Sequence, residues 1–480
     1  MRTFVKKPRV GIIGGGIWGL SCAFFLEKKS AGHIDVVVLE ASDRPGGMIQ
    51  TREFANHRME MGPNGFLDSN PSTFDLCKEL GLQEELLPAS ASAARNRYLY
   101  LKNRLHKLPS NLFGMAFSPV LSIRGKLQIL TEGLHTKRAI PEEESIADFF
   151  RARVGNEVAC SLGDAFVTGI WGGDSEQLSL PSCFPKWREM EISHGSILRG
   201  LKARRIAKSR VAREAGLAKP PSPQMWSLKK GLGQLIDTLA VHLGSRLRIH
   251  QKVSALQPVL GQPGAEWRVF IDGQEKPETF DHVILACPAH EQARLLAPYS
   301  PALANTLLEI PTTPIAVIGL LFPESQIWGD AVKPDGFGYL TPQKDGRPVM
   351  GVQWCSAIFP GHRSPPGWHL WRALVGGPNQ SQLLDQNDET LTKVVLAELK
   401  TVGNWALNPE CVHIFRWKRA IPQYTLGHAK RTQAILEAQK TLAGLNCAGS
   451  CMGGVAINDC VEQSAKLAAG LVESLTKISG

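Results

Sequence analysis

Val10-Gly11-Ile12-Ile13-Gly14-Gly15-Gly16-Ile17-Trp18-Gly19-Leu20 is the stretch on which the reading of this chain turns. An apolar run ending at Ile13 meets three glycines. Leu20 to Leu26 then carries apolar residues at helical spacing, and Val36 to Leu39 is β-rich and apolar, so residues 9 to 40 read as strand, tight turn, helix and strand. Gly14-Gly15-Gly16-Ile17-Trp18-Gly19 satisfies GxGxxG: Gly14 permits the turn, Gly16 lets backbone approach a pyrophosphate, and Gly19 lets helix pack on strand. The helix N-terminus then faces phosphate. The glycine pattern alone is weak, but Glu40 closes the second strand at the expected distance, where a carboxylate accepts both ribose hydroxyls. Together they predict a dinucleotide site on a Rossmann-type unit.

Just past the ribose acid comes Asp43-Arg44-Pro45-Gly46-Gly47-Met48. A cation and bare backbone there can reach phosphate a second time, an extension that NAD does not need and that points to FAD; the plain alternative for Arg44 is a surface charge. Glu60-Met61-Gly62-Pro63-Asn64-Gly65 is a further small-residue turn, where backbone can lie against an isoalloxazine ring, although by composition it is also an ordinary turn. The far end mirrors the start. Ala448-Gly449-Ser450 and Gly453-Gly454-Val455-Ala456-Ile457-Asn458-Asp459 precede a helix through Leu471, so the nucleotide domain is expected to be closed by the C-terminus. That helix start offers amide donors and a positive dipole end, suited to the charge that develops at the flavin N1/O2 edge on reduction. Asn458 and Asp459 read equally well as helix caps.

A chain of 480 residues with 43% apolar content implies two or three domains. Its 54 Lys and Arg against 44 acids give +10, which favours anionic partners such as a lipid surface, nucleic acid or a carboxylated ligand. The excess sits in the middle: between Arg95 and Glu214 there are 20 basic and 12 acidic residues, a surplus of eight. Arg199, Lys202, Arg204, Arg205, Lys208, Arg210 and Arg213 run without a balancing acid. A solvated basic helix is the bland reading and a surface for anionic headgroups the sharper one. The ten cysteines show neither zinc spacing nor a disulfide framework, which fits a reducing compartment and predicts no metal site. The N-terminal apolar run is too rich in glycine for a signal segment, and no stretch approaches the ~20 apolar residues of a membrane span, so any membrane contact is expected to be peripheral.

Further strings carry a resemblance. Asn96-Arg97-Tyr98-Leu99-Tyr100, Phe166-Val167-Thr168-Gly169, Gly336-Phe337-Gly338, Ile421-Pro422-Gln423-Tyr424-Thr425-Leu426-Gly427-His428 and Gly454-Val455-Ala456-Ile457-Asn458-Asp459-Cys460, together with the flavin motifs, resemble the protoporphyrinogen oxidase family. These are oxygen-dependent FAD enzymes of haem synthesis within the monoamine oxidase and phytoene desaturase group. The resemblance covers almost the whole chain.

It implies a mixed α/β and α+β, monoamine oxidase-like architecture: a Rossmann-type FAD-binding domain assembled from residues 1–90, 216–290 and 416–480, a sheet-based substrate domain at 291–415, and a helical, basic, membrane-facing domain at 91–215. It implies non-covalent FAD held by Gly14, Gly15, Gly16, Ile17, Trp18, Gly19, Glu40, Ala41, Arg44, Gly46, Gly47, Met48, Gly62, Pro63, Asn64, Gly65, Val253, Val455, Ala456 and Ile457, with Trp417 flanking the ring. The substrate implied is protoporphyrinogen, with Arg97 on a propionate and Gly169, Phe337, Leu340 and Leu374 lining an apolar slot. Gln353 departs from the apolar residue usual at its position. The porphyrinogen would lose six electrons in three rounds, each closed by oxygen with release of peroxide. No acid–base pair stands out and no catalytic residue is nominated. The implied location is cytoplasmic and peripheral to an anionic membrane, or the mitochondrial inner membrane in a eukaryote. Hand-over to a chelatase and a homodimer stay open as partners, and nucleic acid is not expected. The nearest competing reading is coproporphyrinogen oxidation. An amine oxidase, a carotenoid desaturase and a non-catalytic flavin-binding protein are more distant.

Overall fold

The computed structural model describes residues 7–109, 114, 118–134, 138–214, 217, 223–259 and 266–478. Arg9–Ile13 is a strand, Ile17–Ser30 a helix and Asp35–Leu39 the parallel partner strand, as the glycine pattern predicts. Two of the glycines are obligatory for backbone reasons. Gly14 sits at φ +112°, and a Cβ on Gly19 would lie 2.0 Å from the Gly14 carbonyl oxygen. The helix can therefore pack directly on the turn it leaves.

The βαβ unit grows into a five-stranded parallel sheet in the order Leu247–Arg248, Asp35–Leu39, Arg9–Ile13, His282–Leu285, Leu445–Cys447. Strands from the start, middle and end of the chain thus share one sheet. One face packs Leu20, Phe24 and Leu26 against Val461 and Ala468 of the C-terminal helix Ile457–Ile478, where Ser21 and Ser464 share a 2.7 Å hydrogen bond. The other face packs Val37, Leu39 and Leu285 against Leu256, Trp267 and Phe280. Every strand of such a sheet is covered on both sides, so near-continuous apolar runs are its sequence signature.

A second sheet has seven strands in the order Cys411–Pro422, Thr312–Pro323, Trp368–Gly376, Val349–Trp354, Gly338–Leu340, Tyr98–Leu101, Arg104–Lys107. All neighbours are antiparallel except the parallel pair Gly338–Leu340 and Tyr98–Leu101. Its last two strands come from the segment read as helical. One face buries Trp354, Trp371 and Trp405; the other, through Val317, Leu370 and Leu374, meets Met59 and Met61 of the nucleotide module.

The middle of the chain is helical from Ile146 to Glu214, and a buried charge network ties its helices together. Arg188 pairs with Glu144 and Glu191, and Arg138 with the same two carboxylates, at 2.5 to 2.9 Å. Arg153 joins at Glu191. Removing one partner from such a network costs about 3–5 kcal/mol, because a buried charge is left alone.

Candidate functional site

The two modules meet where the glycine turns lie. Gly16 and Gly46 form a parallel bridge, the Gly46 amide donates to the Gly15 carbonyl at 2.7 Å, and a Cβ on Gly47 would come to 3.2 Å of the Gly16 Cα. The Glu40 carboxylate accepts from the Gly15 amide at 2.6 Å and the Ser42 amide at 2.8 Å, with Ala41 exposed between them. Gln251 and His250 donate to the Glu40 and Ser42 carbonyls, and Val253, which follows them in the chain, is buried. Trp18 is buried and Ile17 partly so, anchoring the helix behind the turn. The Arg44 guanidinium donates to the carbonyls of Pro45, Gly47 and Ile49, so it ties the Gly46–Gly47 loop together, a role its position in the sequence did not show.

Three observations make this surface fit a dinucleotide. A Cβ on Gly16 would meet no atom of the described residues within 4 Å, although the glycines around it are crowded. Both side-chain polar atoms of Asn64 are buried without a partner among the described residues, in the turn expected to face the flavin ring. That turn is itself pressed close, since a Cβ on Gly62 would lie 1.9 Å from the Met48 carbonyl and one on Gly65 2.4 Å from that of Trp226; Pro63 is half-buried between them. The Trp417 indole donates to the Met61 carbonyl at 2.7 Å, which puts it against the same turn.

From the far end, Val455, Ala456 and Ile457 lead into the C-terminal helix. Tyr424 fixes this approach. Its hydroxyl accepts from the Gly454 amide and donates to the Ser450 carbonyl, both at 2.6 Å. Asn458 donates to the Leu67 carbonyl at 2.7 Å, so its amide links the helix start to the strand after the Asn64 turn rather than capping its own helix. His428 stacks on Tyr424 at 3.9 Å and 8°. Burial, with Arg431 adding to it, pushes the His428 pKa down to about 4. A histidine held neutral in the fold but free to protonate when unfolded gives stability that is full above about pH 6.5 and lost as pH falls toward 4. His57, lowered to about 4 by burial and by His413, acts in the same window. The melting temperature should fall across it, and His428→Phe, which keeps the stack, should flatten the fall by a few degrees.

The expected slot residues converge on the second sheet. Leu374 and Leu340 both pair with Gly351, so they stand on one row and one face. A Cβ on Gly169 would lie 2.8 Å from Leu340 Cδ1, and both Gly169 and Leu340 retain exposure. The Arg97 guanidinium lies 5.4 Å over the Phe337 ring. Its side chain is exposed yet hemmed in closely enough that desolvation pulls its pKa below the usual arginine value. Among the described residues no carboxylate pairs with it. Gln353 turns its oxygen to Arg372, a buried arginine that the sequence reading missed; the signal available was a charged residue inside the apolar run Trp368 to Leu374.

The sheet with its glycine turns and the antiparallel sheet beside it define a flavoprotein oxidoreductase of the monoamine oxidase-like architecture, and the chain belongs to the flavin containing amine oxidoreductase family, whose model matches residues 19–472. Among curated relatives it is 34% identical to protoporphyrinogen oxidase of Homo sapiens, covering 96% of this chain and 98% of that one. It is 29% identical to coproporphyrinogen III oxidase of Bacillus subtilis (strain 168), covering 95% and 96%. A crystal structure provisionally assigned as a protoporphyrinogen oxidase, from Exiguobacterium sp. 255-15, superimposes with a TM-score of 0.82 at 25% identity, covering 98% of this chain and all of that one. Among the described residues no helix is long and apolar enough to cross a membrane.

Proposed function

We propose that this chain oxidises protoporphyrinogen IX to protoporphyrin IX with non-covalent FAD and molecular oxygen. The observation that carries the reading is Arg97, a partly desolvated cation without an acid partner among the described residues, set over Phe337 beside the uncharged row of Leu340 and Leu374. An apolar macrocycle with carboxylate arms needs that combination, because the ring gains from leaving water and the carboxylate needs a guanidinium to follow it. The FAD would lie along Gly14–Gly19, Glu40, Gly46–Met48, Val253, Gly62–Gly65, Trp417 and Val455–Ile457. When bound it supplies a two-electron acceptor that oxygen restores, so six electrons leave the substrate in three rounds.

The chain's own residues place and enclose. Gly169, with no side chain, lets Leu340 lie directly against its helix; Leu340, Leu374 and Phe337 exclude water; Arg97 orients the ring by one edge. The N-terminus of the C-terminal helix, held by Tyr424 through Gly454, presents a positive dipole end to the cofactor. The named slot residues other than Arg97 carry no charge, which suits a substrate with two carboxylates. A coproporphyrinogen, with four, would ask for more cations, and the Bacillus relative keeps that alternative in view. Steady-state oxidation of both porphyrinogens by purified protein under oxygen tests the choice: faster turnover of protoporphyrinogen is expected, and preference for coproporphyrinogen would replace this reading with the other.

The same reading puts the helical module on an anionic membrane surface. On the helix Ile123–Thr131 and the turn after it, Ile123, Leu127, Leu130 and Leu134 are 55% to 78% exposed at spacings of four, three and four, one stripe of one face. Beside it lies the basic helix Ile197–Glu214, with Leu201, Ile206 and Val211 exposed among its arginines and lysines. Fully buried Glu132 joins the two, accepting from the amides of Ile197 and Leu198 at 2.9 and 3.1 Å and from Ser196 Oγ. Apolar and cationic surface are thereby locked side by side, as interfacial binding requires. Binding to phosphatidylserine vesicles should weaken with salt, and Leu127→Asp with Leu130→Asp should reduce partition at least about tenfold, since burying each leucine contributes roughly 1.5–3 kcal/mol. Equal partition onto neutral and anionic vesicles would count against the charged surface.

A further inference from the structure

Arg372 stands in the middle of the strand Trp368–Gly376 with 2% exposure, where the flanking residues are apolar. By strand alternation it shares a face with Leu374, and by register it lies opposite Gln353, as Leu374 lies opposite Gly351. Its three donor positions are unevenly used. Nη1 donates to Gln353 Oε1 at 3.0 Å, Nη2 donates to the Gly62 carbonyl at 2.6 Å, and Nε is buried without a hydrogen-bond partner among the described residues. The neighbouring Met61 carbonyl receives the Trp417 indole at 2.7 Å. Two consecutive carbonyls of the turn that carries Asn64 are therefore suspended from the substrate sheet.

The charge around Arg372 does not close. Among the described residues none of the ion pairs includes it. The buried Glu60 lies 3.9 Å from Arg363, and its carboxylate is already occupied by the Thr51 hydroxyl and the Leu232 amide at 2.7 and 2.8 Å. Arg363 and, from further off, Arg372 are the two guanidiniums whose charge reaches this one carboxylate, a net charge of 2 − 1 = +1. Burial pushes the Glu60 pKa up, which makes the group no less positive, and it holds the nearby Cys355 thiol neutral with a pKa of about 11. Burying an uncompensated guanidinium costs stability that a leucine at the same position would not. Such a charge is explained by a negative charge that the described residues do not provide.

We propose that Arg372, set in place by Gln353, is a positioning residue for the flavin: it hangs the Met61–Asn64 turn from the substrate sheet and keeps an unpaired positive charge behind that turn which favours the reduced, anionic cofactor over the oxidised, neutral one. The inference rests on the flavin reading above and adds to it a control over redox potential exerted through the backbone of the Asn64 turn. In the low-dielectric space between the two modules a fixed charge acts on the flavin without the screening that water would give.

The test measures flavin content by acid release and the two-electron midpoint potential of the bound flavin in wild type and three variants. Arg372→Met removes the charge. Gln353→Glu leaves the arginine in place and brings the group to 2 − 2 = 0. Both should lower the protein's preference for reduced over oxidised flavin about tenfold, which is about 30 mV for a two-electron couple. Arg372→Lys keeps the charge but cannot reproduce the forked pair of hydrogen bonds, and should retain most of the wild-type potential. If Arg372→Met does not fold, Gln353→Glu decides. A flavin-loaded Gln353→Glu or Arg372→Met enzyme at the wild-type potential overturns the proposal, whereas a wild-type chain that holds no flavin at all overturns the flavin reading and this inference with it.

Discussion

Gly16→Val is expected to fold and to purify colourless. Gly16 has φ −71° and ψ 174°, extended backbone that valine adopts readily, and a Cβ there meets no atom of the described residues within 4 Å. The added methyl groups would fill the space over the helix start, where the pyrophosphate is to approach the amides. Losing two charge-assisted hydrogen bonds at about 1.5–3 kcal/mol each weakens binding by roughly 3 kcal/mol or more, at least about a hundredfold. Absorbance of the purified protein and titration with free FAD check this, with the wild-type flavin released by acid precipitation as a non-covalent cofactor should be. Gly19→Val gives the contrast. Its Cβ would sit 2.0 Å from the Gly14 carbonyl, so that variant should fail to fold rather than merely fail to bind. A yellow Gly16→Val protein with wild-type FAD affinity would place the pyrophosphate elsewhere.

Arg97→Ala should leave FAD content unchanged and raise KM for the porphyrinogen by about two orders of magnitude. A carboxylate held by a guanidinium in a partly desolvated setting contributes roughly 2–3 kcal/mol, and the contact lies at the edge of the ring rather than at the reacting carbon, so it acts alike on bound substrate and transition state. The structure strengthens the case in one respect. An arginine whose pKa is pulled down by its surroundings, with an aromatic face below it and no acid paired with it among the described residues, is an electrostatic demand left open. Arg97→Lys should recover only part of the loss, because an ammonium cannot match the two parallel hydrogen bonds. Wild-type kinetics in Arg97→Ala would return this residue to an ordinary surface charge.

What could be read from the chain without its fold is short in range. The turn at Gly14–Gly19 and the acid at Glu40 announce themselves because a βαβ unit is built within one stretch of sequence, its glycines dictated by φ at Gly14 and by contact at Gly19. The mirrored turn at Gly449–Gly454 and the expectation that both ends share a domain follow from the same local grammar, and Leu445–Cys447 does pair beside His282–Leu285. The basic run at Arg199–Arg213 was equally plain, since charge needs no partner to be counted.

The tertiary structure alone decided the rest, because each remaining feature is a contact between residues far apart in sequence. Tyr98–Leu101 reads as helical surroundings would suggest until Gly338–Leu340 pairs with it and makes it a sheet strand. Tyr424 is a conspicuous letter in a motif, but its function of holding Gly454 and Ser450 requires the C-terminal turn to arrive beside it. Glu132 is one acid among several in a basic region until the amides of Ile197 and Leu198 close on it. Arg372 and Gly62 are 310 positions apart, and Gln353 reads as an odd polar residue in an apolar slot until the arginine opposite explains it. Periodicity and glycine spacing report what a segment does to itself. The charge balance of a buried site is a sum over residues that only folding brings within reach of one another, and no segment carries that sum.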